Sequence, residues 1–302
     1  MNLKRKVLGH EFQNPILPAS GTFNFGREIN SFYPINKLGG LITKGLTKEK
    51  RLGNMTPRVA ETAGGMLNSV GLQNPGVDSF IKEELPFMLA QKVPVIANAC
   101  GNTVEDYSYV VEALCKTDIA AIELNISCPN VKQGGMSFGV DPVAVENITR
   151  EIKKICTKPL IVKLTPNVSN IAENAKAAER GGADAISLIN TIAGMAVDIE
   201  TRKPILANRI GGLSGPAVKP VALKMVWDCY NAVKIPIIGL GGISNYKDVV
   251  EFMLCGATLV QVGTLNMTDP METYKIIEDL ENWCNKNNIT SLDEIVGKLI
   301  IN

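Results

Sequence analysis

Six polar residues stand at the ends of short apolar runs along the sequence. They are Ser20, Lys44, Asn98, Asn125, Lys163 and Asn190. The apolar runs have the composition of parallel strands that are covered on both faces, and the ends of such strands meet at one edge. A lysine in this position is rarely buried without a partner. The two lysines therefore predict a site for an anionic or electron-rich ligand.

Glycine supplies a second signal at two neighbouring runs. Residues 239–244 read GLGGIS and precede a helical pattern, and Gly263-Thr264 follows the next apolar run. Glycine lets the backbone approach a ligand, and free N–H groups at the start of a helix attract phosphate. One glycine run alone is a weak signal because glycine also serves tight turns. Together the two runs predict a phosphate-bearing ligand such as flavin mononucleotide (FMN), with a further contact from residues 211–215.

Cys128 stands in the segment Asn125-Ile126-Ser127-Cys128-Pro129-Asn130. The proline fixes the chain after the cysteine, so the thiol is held at a defined angle where a strand gives way to a loop. Three glycines in residues 131–140 would let that segment move as a flap. A small buried cysteine is the usual alternative, but the polar neighbours favour a catalytic base. The single histidine precedes the first strand, so a Cys–His pair has little support.

Composition excludes several classes of function. The 31 basic and 30 acidic residues give a net charge of +1, which argues against nucleic-acid or membrane-surface binding. Neither a signal peptide nor a run of about 20 apolar residues is visible, so we expect a cytoplasmic protein. Seven cysteines occur without CxxC spacing, and we therefore expect no metal site in this chain.

The elements that must position these residues alternate regularly. Eight apolar runs predict strands at 15–20, 40–45, 94–100, 120–127, 159–164, 185–190, 236–242 and 259–264. Amphipathic patterns predict helices at 77–91, 103–116, 142–156, 171–180, 218–233 and 246–255. This alternation favours an α/β (β/α)8 TIM barrel in a single domain of residues 1–302, with a doubly wound sheet as the alternative.

Insertions are predicted after strands 2, 4 and 6. Long gaps between strand ends place two of them at residues 46–76 and 191–215, and the third is the segment 131–140. All three follow carboxyl ends of strands, where barrel enzymes carry their active sites. They are therefore expected to form lids or substrate walls, although a purely structural insertion is an alternative interpretation.

The motifs resemble the dihydroorotate dehydrogenase family over essentially the whole chain. The segments that carry the resemblance are Leu17-Pro18-Ala19-Ser20-Gly21, Ile42-Thr43-Lys44-Gly45, residues 67–76 (LNSVGLQNPG), residues 125–130 (NISCPN), Val162-Lys163-Leu164-Thr165-Pro166, Ile189-Asn190-Thr191, residues 201–206 (TRKPIL), residues 212–217 (GLSGPA) and Gly263-Thr264. The likeness is nearest to the NAD-linked bacterial branch of class 1, called type B, whose flavin subunit works with a separate electron-transfer subunit.

The resemblance assigns site residues. It implies that FMN is held by Ser20, Lys44, Gly45, Asn98, Asn125, Lys163, Ile189, Gly215, Gly241, Gly242, Gly263 and Thr264. It also implies that dihydroorotate contacts Lys44, Asn68, Ser69, Val70, Gly71, Leu72, Asn125, Asn130, Asn190 and Thr191. Amides that donate and accept hydrogen bonds suit a ring rich in amide groups, and a lysine suits its carboxylate.

The resemblance also implies a reaction, a step in pyrimidine (UMP) biosynthesis. Cys128 would take the C5 proton of (S)-dihydroorotate while a hydride leaves C6 for N5 of FMN, giving orotate. Lys163 would lie near the N1–C2 edge of the flavin and stabilise the charge that reduction places there. Electrons would pass to a partner chain with FAD and a [2Fe–2S] cluster, and on to NAD⁺. The implied assembly is a heterotetramer of two catalytic and two electron-transfer chains.

Three rival functions remain open. One is the homodimeric class 1 enzyme that uses fumarate as its acceptor. Another is an aldolase-like barrel in which Lys163 forms a Schiff base. The third is a barrel that binds a phosphorylated ligand without catalysis and regulates a partner.

Overall fold

The computed structural model describes residues 3–126 and 138–301, and it contains the predicted barrel. The barrel strands are β1 (Ile16–Pro18), β2 (Leu41–Ile42), β3 (Val95–Ala99), β4 (Ala121–Asn125), β5 (Leu160–Lys163), β6 (Ala185–Leu188), β7 (Ile237–Leu240) and β8 (Ala257–Val262). They form one parallel sheet in which each strand from β2 to β7 pairs with the next one and β8 pairs with β1. Between β1 and β2 the Gly39 N–H donates to the Ile16 carbonyl at 2.9 Å, so the sheet is nearly closed. With flanking helices this is a (β/α)8 barrel, as predicted.

Helices follow most of the strands. They are α1 (Val77–Glu83), α2 (Leu85–Leu89), α3 (Val104–Cys115), α4 (Pro142–Ile155), α5 (Ile171–Arg180), α6 (Lys219–Ala232), α7 (Tyr246–Leu254), α8 (Leu265–Thr268) and α9 (Pro270–Lys286). The helix predicted at 77–91 is two helices that meet at Glu84. Pro86 lacks an N–H group and cannot continue the hydrogen bonds of the first helix, which explains the break. Within the described part of the chain, every helix is too short or too polar to cross a lipid bilayer.

A hairpin closes the amino end of the barrel. Its strands are Arg5–Val7 and His10–Phe12. Val7 and Phe12 pack against one inward-facing residue from each barrel strand: Leu17, Ile42, Ile96, Ala121, Ile161, Ala185, Ile238 and Leu259. These side chains fill the lower barrel with an apolar layer, as in the packed core of this type of barrel.

The next layer of the barrel is polar. Side chains on one face of a strand recur every second residue, so the next inward-facing positions are two residues further along. They are Ala19, Lys44, Asn98, Glu123, Lys163, Ser187, Leu240 and Gln261. We call the six polar members (Lys44, Asn98, Glu123, Lys163, Ser187 and Gln261) the polar layer. It marks the carboxyl end of the barrel as the functional end.

Segments that follow β2 and β6 form a second sheet beside this end, which we call the cap sheet. Its strands are Val59–Thr62, Gly65–Asn68, Gly211–Ser214 and Ile192–Gly194, paired antiparallel in that order. A short antiparallel pair, Val197–Asp198 with Lys203–Pro204, extends the second segment. The third segment predicted as an insertion, residues 131–140, lies mostly outside the described residues. Single 3₁₀ turns occur at Ile29–Ser31, Ile35–Lys37, Pro216–Val218 and Leu292–Glu294.

Candidate active site

A cavity of about 1030 Å³ lies between the carboxyl end of the barrel and the cap sheet. Nineteen of the residues singled out by sequence line it: Ser20, Lys44, Gly45, Asn68, Ser69, Val70, Gly71, Leu72, Asn98, Asn125, Lys163, Ile189, Asn190, Thr191, Gly215, Gly241, Gly242, Gly263 and Thr264. The two others, Cys128 and Asn130, lie outside the described residues. A cavity of this size is at the upper end for small-molecule sites and has room for more than one ligand.

Lys163 ends β5 and is only 3% exposed. Its Nζ donates to Ser20 Oγ at 2.8 Å and lies 3.4 Å from Glu123 Oε1. A buried ammonium requires such compensation because leaving water costs it several kcal/mol. The pairing fixes the position of Lys163 at the floor of the cavity, and it argues against the aldolase-like function, which needs an uncharged amine as nucleophile.

The three asparagines of the barrel mouth form a chain of amide contacts. Asn190 Nδ2 donates to Asn125 Oδ1 at 3.5 Å, and Asn125 Nδ2 donates to Asn98 Oδ1 at 3.4 Å. Asn98 Nδ2 donates to Glu123 Oε1 at 2.6 Å. The orientation of each of these side-chain amides is therefore coupled to that of its neighbour, since an NH₂ group of one must meet a carbonyl oxygen of the next.

Glu123 and Gln261 are parts of the site that sequence reasoning missed. Glu123 is fully buried within β4, and Gln261 Nε2 donates to its Oε2 at 2.7 Å. Burial acts to raise the pKa of the Glu123 carboxyl, but the charge of Lys163 and the amide hydrogen bonds outweigh it, so the pKa lies below its usual range. A charged residue inside the apolar run AIELN was the available signal, visible when the strand is read at a period of two.

Lys44 stands at the end of β2 and is partly buried. Burial lowers the pKa of its ammonium, and the nearby positive charge of Arg58 lowers it further. Arg58 is held in the segment before the cap sheet by contacts to the carbonyls of Leu52 and Asn54. Lys44 lines the cavity, and its ammonium makes this side of the cavity suitable for a ligand carboxylate.

Glycines shape the side of the cavity beyond β7 and β8. Gly215, Gly241 and Gly242 have φ values of +99°, +129° and +77°, which residues with a Cβ rarely adopt. A Cβ at Gly242 would lie 2.7 Å from the Gly215 carbonyl oxygen. At Gly263, by contrast, the nearest protein atom would be 3.5 Å away, an ordinary contact. Protein packing therefore does not require glycine at position 263.

The sequence predicted that free N–H groups at the start of α7 attract a phosphate. The structure does not show free N–H groups there. Asp248 Oδ2 accepts from the N–H groups of Ser244 and Asn245, and the Asn245 side chain caps the N–H groups of Lys247 and Asp248. The helix start is therefore satisfied internally. A phosphate would therefore have to bind to the glycine loops that precede α7 and not to the helix start itself.

The cap sheet supplies the opposite wall. Asn68 pairs with Gly212, and its Nδ2 lies 3.4 Å from the Gly212 carbonyl oxygen. The Ser69 Oγ that follows is buried and has no hydrogen-bond partner among the described residues. Buried hydroxyls normally have a partner, so an orphaned one in a cavity wall points to a ligand.

Comparison with known proteins agrees with this geometry. The family profile described as dihydroorotate dehydrogenase matches residues 2–283. A protein of Alkaliphilus oremlandii (strain OhILAs), named dihydroorotate dehydrogenase B (NAD(+)), catalytic subunit, is 55% identical over 298 residues, covering 99% of each chain. Relatives with the same name from Thermoanaerobacter pseudethanolicus and Geotalea uraniireducens are 53% and 52% identical. Both alignments cover 99% of this chain, and 99% and 98% of the respective relative.

Proposed function

The chain belongs to the dihydroorotate dehydrogenase family, and from this premise we propose that it oxidises dihydroorotate to orotate, with FMN as its bound cofactor, in pyrimidine biosynthesis. The observation that carries the proposal is the cavity itself. Amides and two lysines from β2 to β6 line one part of it, and glycine loops after β7 and β8 line another. A flavin with a phosphate tail and a small carboxylate substrate need these two kinds of surface together.

The residues present fit FMN. Gln261 lines the same cavity, and its buried Oε1 atom has no hydrogen-bond partner among the described residues. A Cβ at Gly263 would make only ordinary contacts with the protein, so the fold itself does not require glycine there. Backbone N–H groups and small hydroxyls are donors suited to a phosphate. On this basis Gly215, Gly241, Gly242, Gly263 and Thr264 would hold the phosphate.

The remaining cofactor contacts come from the barrel mouth. Amide, hydroxyl and ammonium groups there suit the polar edge of the flavin ring, which both donates and accepts hydrogen bonds. The residues concerned are Ser20, Lys44, Gly45, Asn98, Asn125, Lys163 and Ile189. Lys163 would stabilise negative charge on the flavin. When bound, FMN supplies the acceptor, at N5, for the hydride that leaves C6 of dihydroorotate.

Dihydroorotate would lie between the flavin and the cap sheet. Lys44 provides a cation for its carboxylate. Asn125, Asn190 and Thr191 line the cavity from the barrel side. Asn68, Ser69, Val70, Gly71 and Leu72 line it from the cap-sheet side, and Asn130 is proposed as a further contact. Fixing the substrate plane in this way accounts for part of the rate.

Cys128 is the proposed base that takes the C5 proton. It is the third residue after Asn125, so chain connectivity keeps its Cα within about 11 Å of the Asn125 Cα. The segment 127–137 joins Asn125 to the region of Val140, and both of these residues line the cavity. A positioned thiolate is chemically competent for this proton transfer.

The electrons are proposed to leave through a second protein. The relatives are named as catalytic subunits of an NAD(+)-linked enzyme, which supports a separate electron-transfer subunit. We propose that this subunit carries FAD and a [2Fe–2S] cluster and reduces NAD⁺. Two chains of each kind would form the assembly in the cytoplasm, with residues 1–302 as one FMN-binding domain.

Anaerobic reduction tests the proposed function. The chain is loaded with FMN and mixed with dihydroorotate in the absence of oxygen. We expect loss of the oxidised flavin absorbance and one orotate formed per flavin. Retention of the oxidised spectrum in a chain that binds FMN would contradict the proposal and favour the non-catalytic barrel.

A further inference from the structure

Glu123 is a buried carboxylate that no step above uses. It lies in β4 with 0% exposure and does not itself line the cavity. Removing a carboxylate from water is costly unless nearby groups compensate for it. A charge in this position therefore calls for an explanation beyond packing.

The partners of Glu123 give that explanation. Its Oε1 accepts from Asn98 Nδ2 at 2.6 Å and lies 3.4 Å from Lys163 Nζ. Its Oε2 accepts from Gln261 Nε2 at 2.7 Å. All three donors line the cavity. One carboxylate thus connects side chains of β3, β5 and β8 below the ligand.

A carboxylate also imposes a direction on its neighbours. It accepts hydrogen bonds and cannot donate them when ionised, so the NH₂ group of Asn98 must face it. The Asn98 carbonyl oxygen is then the acceptor for Asn125, whose own carbonyl oxygen accepts from Asn190. Gln261 is oriented in the same way, with its carbonyl oxygen turned away from Glu123. The donor and acceptor pattern of the cavity floor therefore begins at Glu123.

The second effect concerns charge. Lys163 and Glu123 form an ion pair with side-chain exposures of 4% and 0%. Their opposite charges largely offset each other at a ligand above them, and burial limits the screening of these charges by solvent. Without Glu123, the ammonium would act on the flavin with its full charge.

We propose that Glu123 is a positioning residue of the flavin site, which orients Lys163, Asn98 and Gln261 and offsets the charge of Lys163 beneath the flavin. The inference rests on the proposed function insofar as the ligand is FMN. It predicts that Glu123 influences how strongly the site prefers reduced over oxidised flavin.

Glu123→Gln tests the charge. Glutamine has nearly the same shape. Its NH₂ group can donate to the carbonyl oxygen of Gln261 once the Gln261 amide rotates by 180°, because that oxygen points away from residue 123 in the wild type and has no partner among the described residues. We expect the variant to fold and to bind FMN. Removal of the unit negative charge of Glu123, about 10 Å from the flavin ring, at an effective dielectric constant of about 20, changes an equilibrium constant by about tenfold. The ratio of oxidised to reduced FMN dissociation constants should rise by this factor, which is about 30 mV in the two-electron potential.

The measurement combines FMN titration of the apoprotein, followed by fluorescence, with the reduction potential of the bound flavin against a reference dye. All variants are measured at the same pH and ionic strength. Glu123→Asp keeps the charge but shortens the side chain by one methylene. We expect it to retain the wild-type potential and to bind oxidised FMN several-fold more weakly.

Thr149→Val is the matched control. Thr149 is fully buried in α4, and its hydroxyl donates to the Val145 carbonyl oxygen at 2.7 Å, away from the cavity. The control should lose stability without changing the flavin potential. A potential in Glu123→Gln equal to that of the wild type would overturn the proposal, as would an equal shift in Thr149→Val.

If Glu123→Gln does not retain flavin, Glu123→Asp decides. In Glu123→Asp, a flavin potential different from that of the wild type, or FMN binding as tight as in the wild type, would contradict the proposed role. Failure of the proposed function has a different signature, because then the wild-type chain itself would bind no FMN or would not be reduced by dihydroorotate.

Discussion

At the scale of single residues, Cys128 is the group on which proton transfer is proposed to depend. A positioned general base contributes about 10²- to 10⁴-fold to a rate. Cys128→Ala should therefore slow flavin reduction by dihydroorotate by about this factor, as measured by anaerobic stopped-flow absorbance, while FMN binding is retained.

Cys284→Ala is a suitable control for the loss of a thiol. Cys284 is fully buried in α9 and does not line the cavity. Its replacement should leave the reduction rate unchanged. Equal rates in the Cys128 variant and the wild type would remove the thiol from the mechanism.

Lys44 makes a prediction about pH. Burial and the charge of Arg58 lower the pKa of its ammonium, so the proton is lost at a lower pH than from an ordinary lysine. If this cation binds the substrate carboxylate, orotate affinity must fall as pH rises through that lowered pKa. The decline should begin below the ordinary value of 10.5.

Lys44→Ala should weaken orotate binding about tenfold to a hundredfold near neutral pH, because a hydrogen bond to a charged group is worth about 1.5–3 kcal/mol. It should also abolish the alkaline decline. Lys48→Ala is the control, since Lys48 is exposed and lies over the Tyr109 ring at 5.1 Å. A Lys44 variant that keeps the wild-type pH dependence would show that another group binds the carboxylate. Spectral titration of bound FMN with orotate measures both quantities.

At the scale of elements, the cap sheet depends on close backbone contact. A Cβ at Gly65 would lie 2.0 Å from the Ser214 carbonyl oxygen, so Gly65→Ala must displace the strand Gly65–Asn68. Overpacking of this kind costs about 1–3 kcal/mol. We expect weaker orotate binding, because residues 68–72 follow directly, and a smaller change in FMN binding.

Gly9→Ala provides the comparison at the opposite end of the barrel. Gly9 has φ +79°, and a Cβ added there would meet open space, so alanine costs about 1–2 kcal/mol through the backbone alone. Thermal unfolding should show similar losses for both variants. Orotate affinity, measured by calorimetry, should fall only in Gly65→Ala. An unchanged orotate affinity in Gly65→Ala would show that the cap sheet does not contribute to substrate binding.

The strands and most helices are predictable because each depends on a local pattern. Every barrel strand lies within or close to its predicted apolar run, and α5 occupies the predicted residues 171–180. The break between α1 and α2 depends on Pro86, which a periodicity count alone ignores. The pairing of Gly65–Asn68 with Gly211–Ser214 was not predicted, because it joins short segments far apart in sequence.

At the scale of the whole molecule, the polar strand ends were predicted from the sequence, and the charge beneath them was missed. Parallel strands in a closed barrel bring their ends to one mouth whatever the details of packing, so Asn98, Asn125 and Lys163 meet there. Glu123 was missed because it stands inside a strand rather than at its end. Only the register of the barrel shows that it shares a layer with Lys163 and Gln261.

The identity of the electron acceptor is also a property of the whole assembly. The isolated chain, once reduced by dihydroorotate, should be reoxidised slowly by NAD⁺ and by fumarate. Addition of the electron-transfer subunit should make NAD⁺ reduction fast. Steady-state assays with each acceptor measure this, and brisk fumarate reduction by the chain alone would favour the homodimeric fumarate-linked enzyme.

The most direct test of the account is a crystal structure of the chain with FMN and orotate. The account predicts the phosphate at Gly241, Gly242, Gly263 and Thr264, the flavin ring beside Lys163, and the sulfur of Cys128 facing C5 of orotate. A flavin bound elsewhere, or a Cys128 sulfur turned away from the barrel mouth, would contradict it.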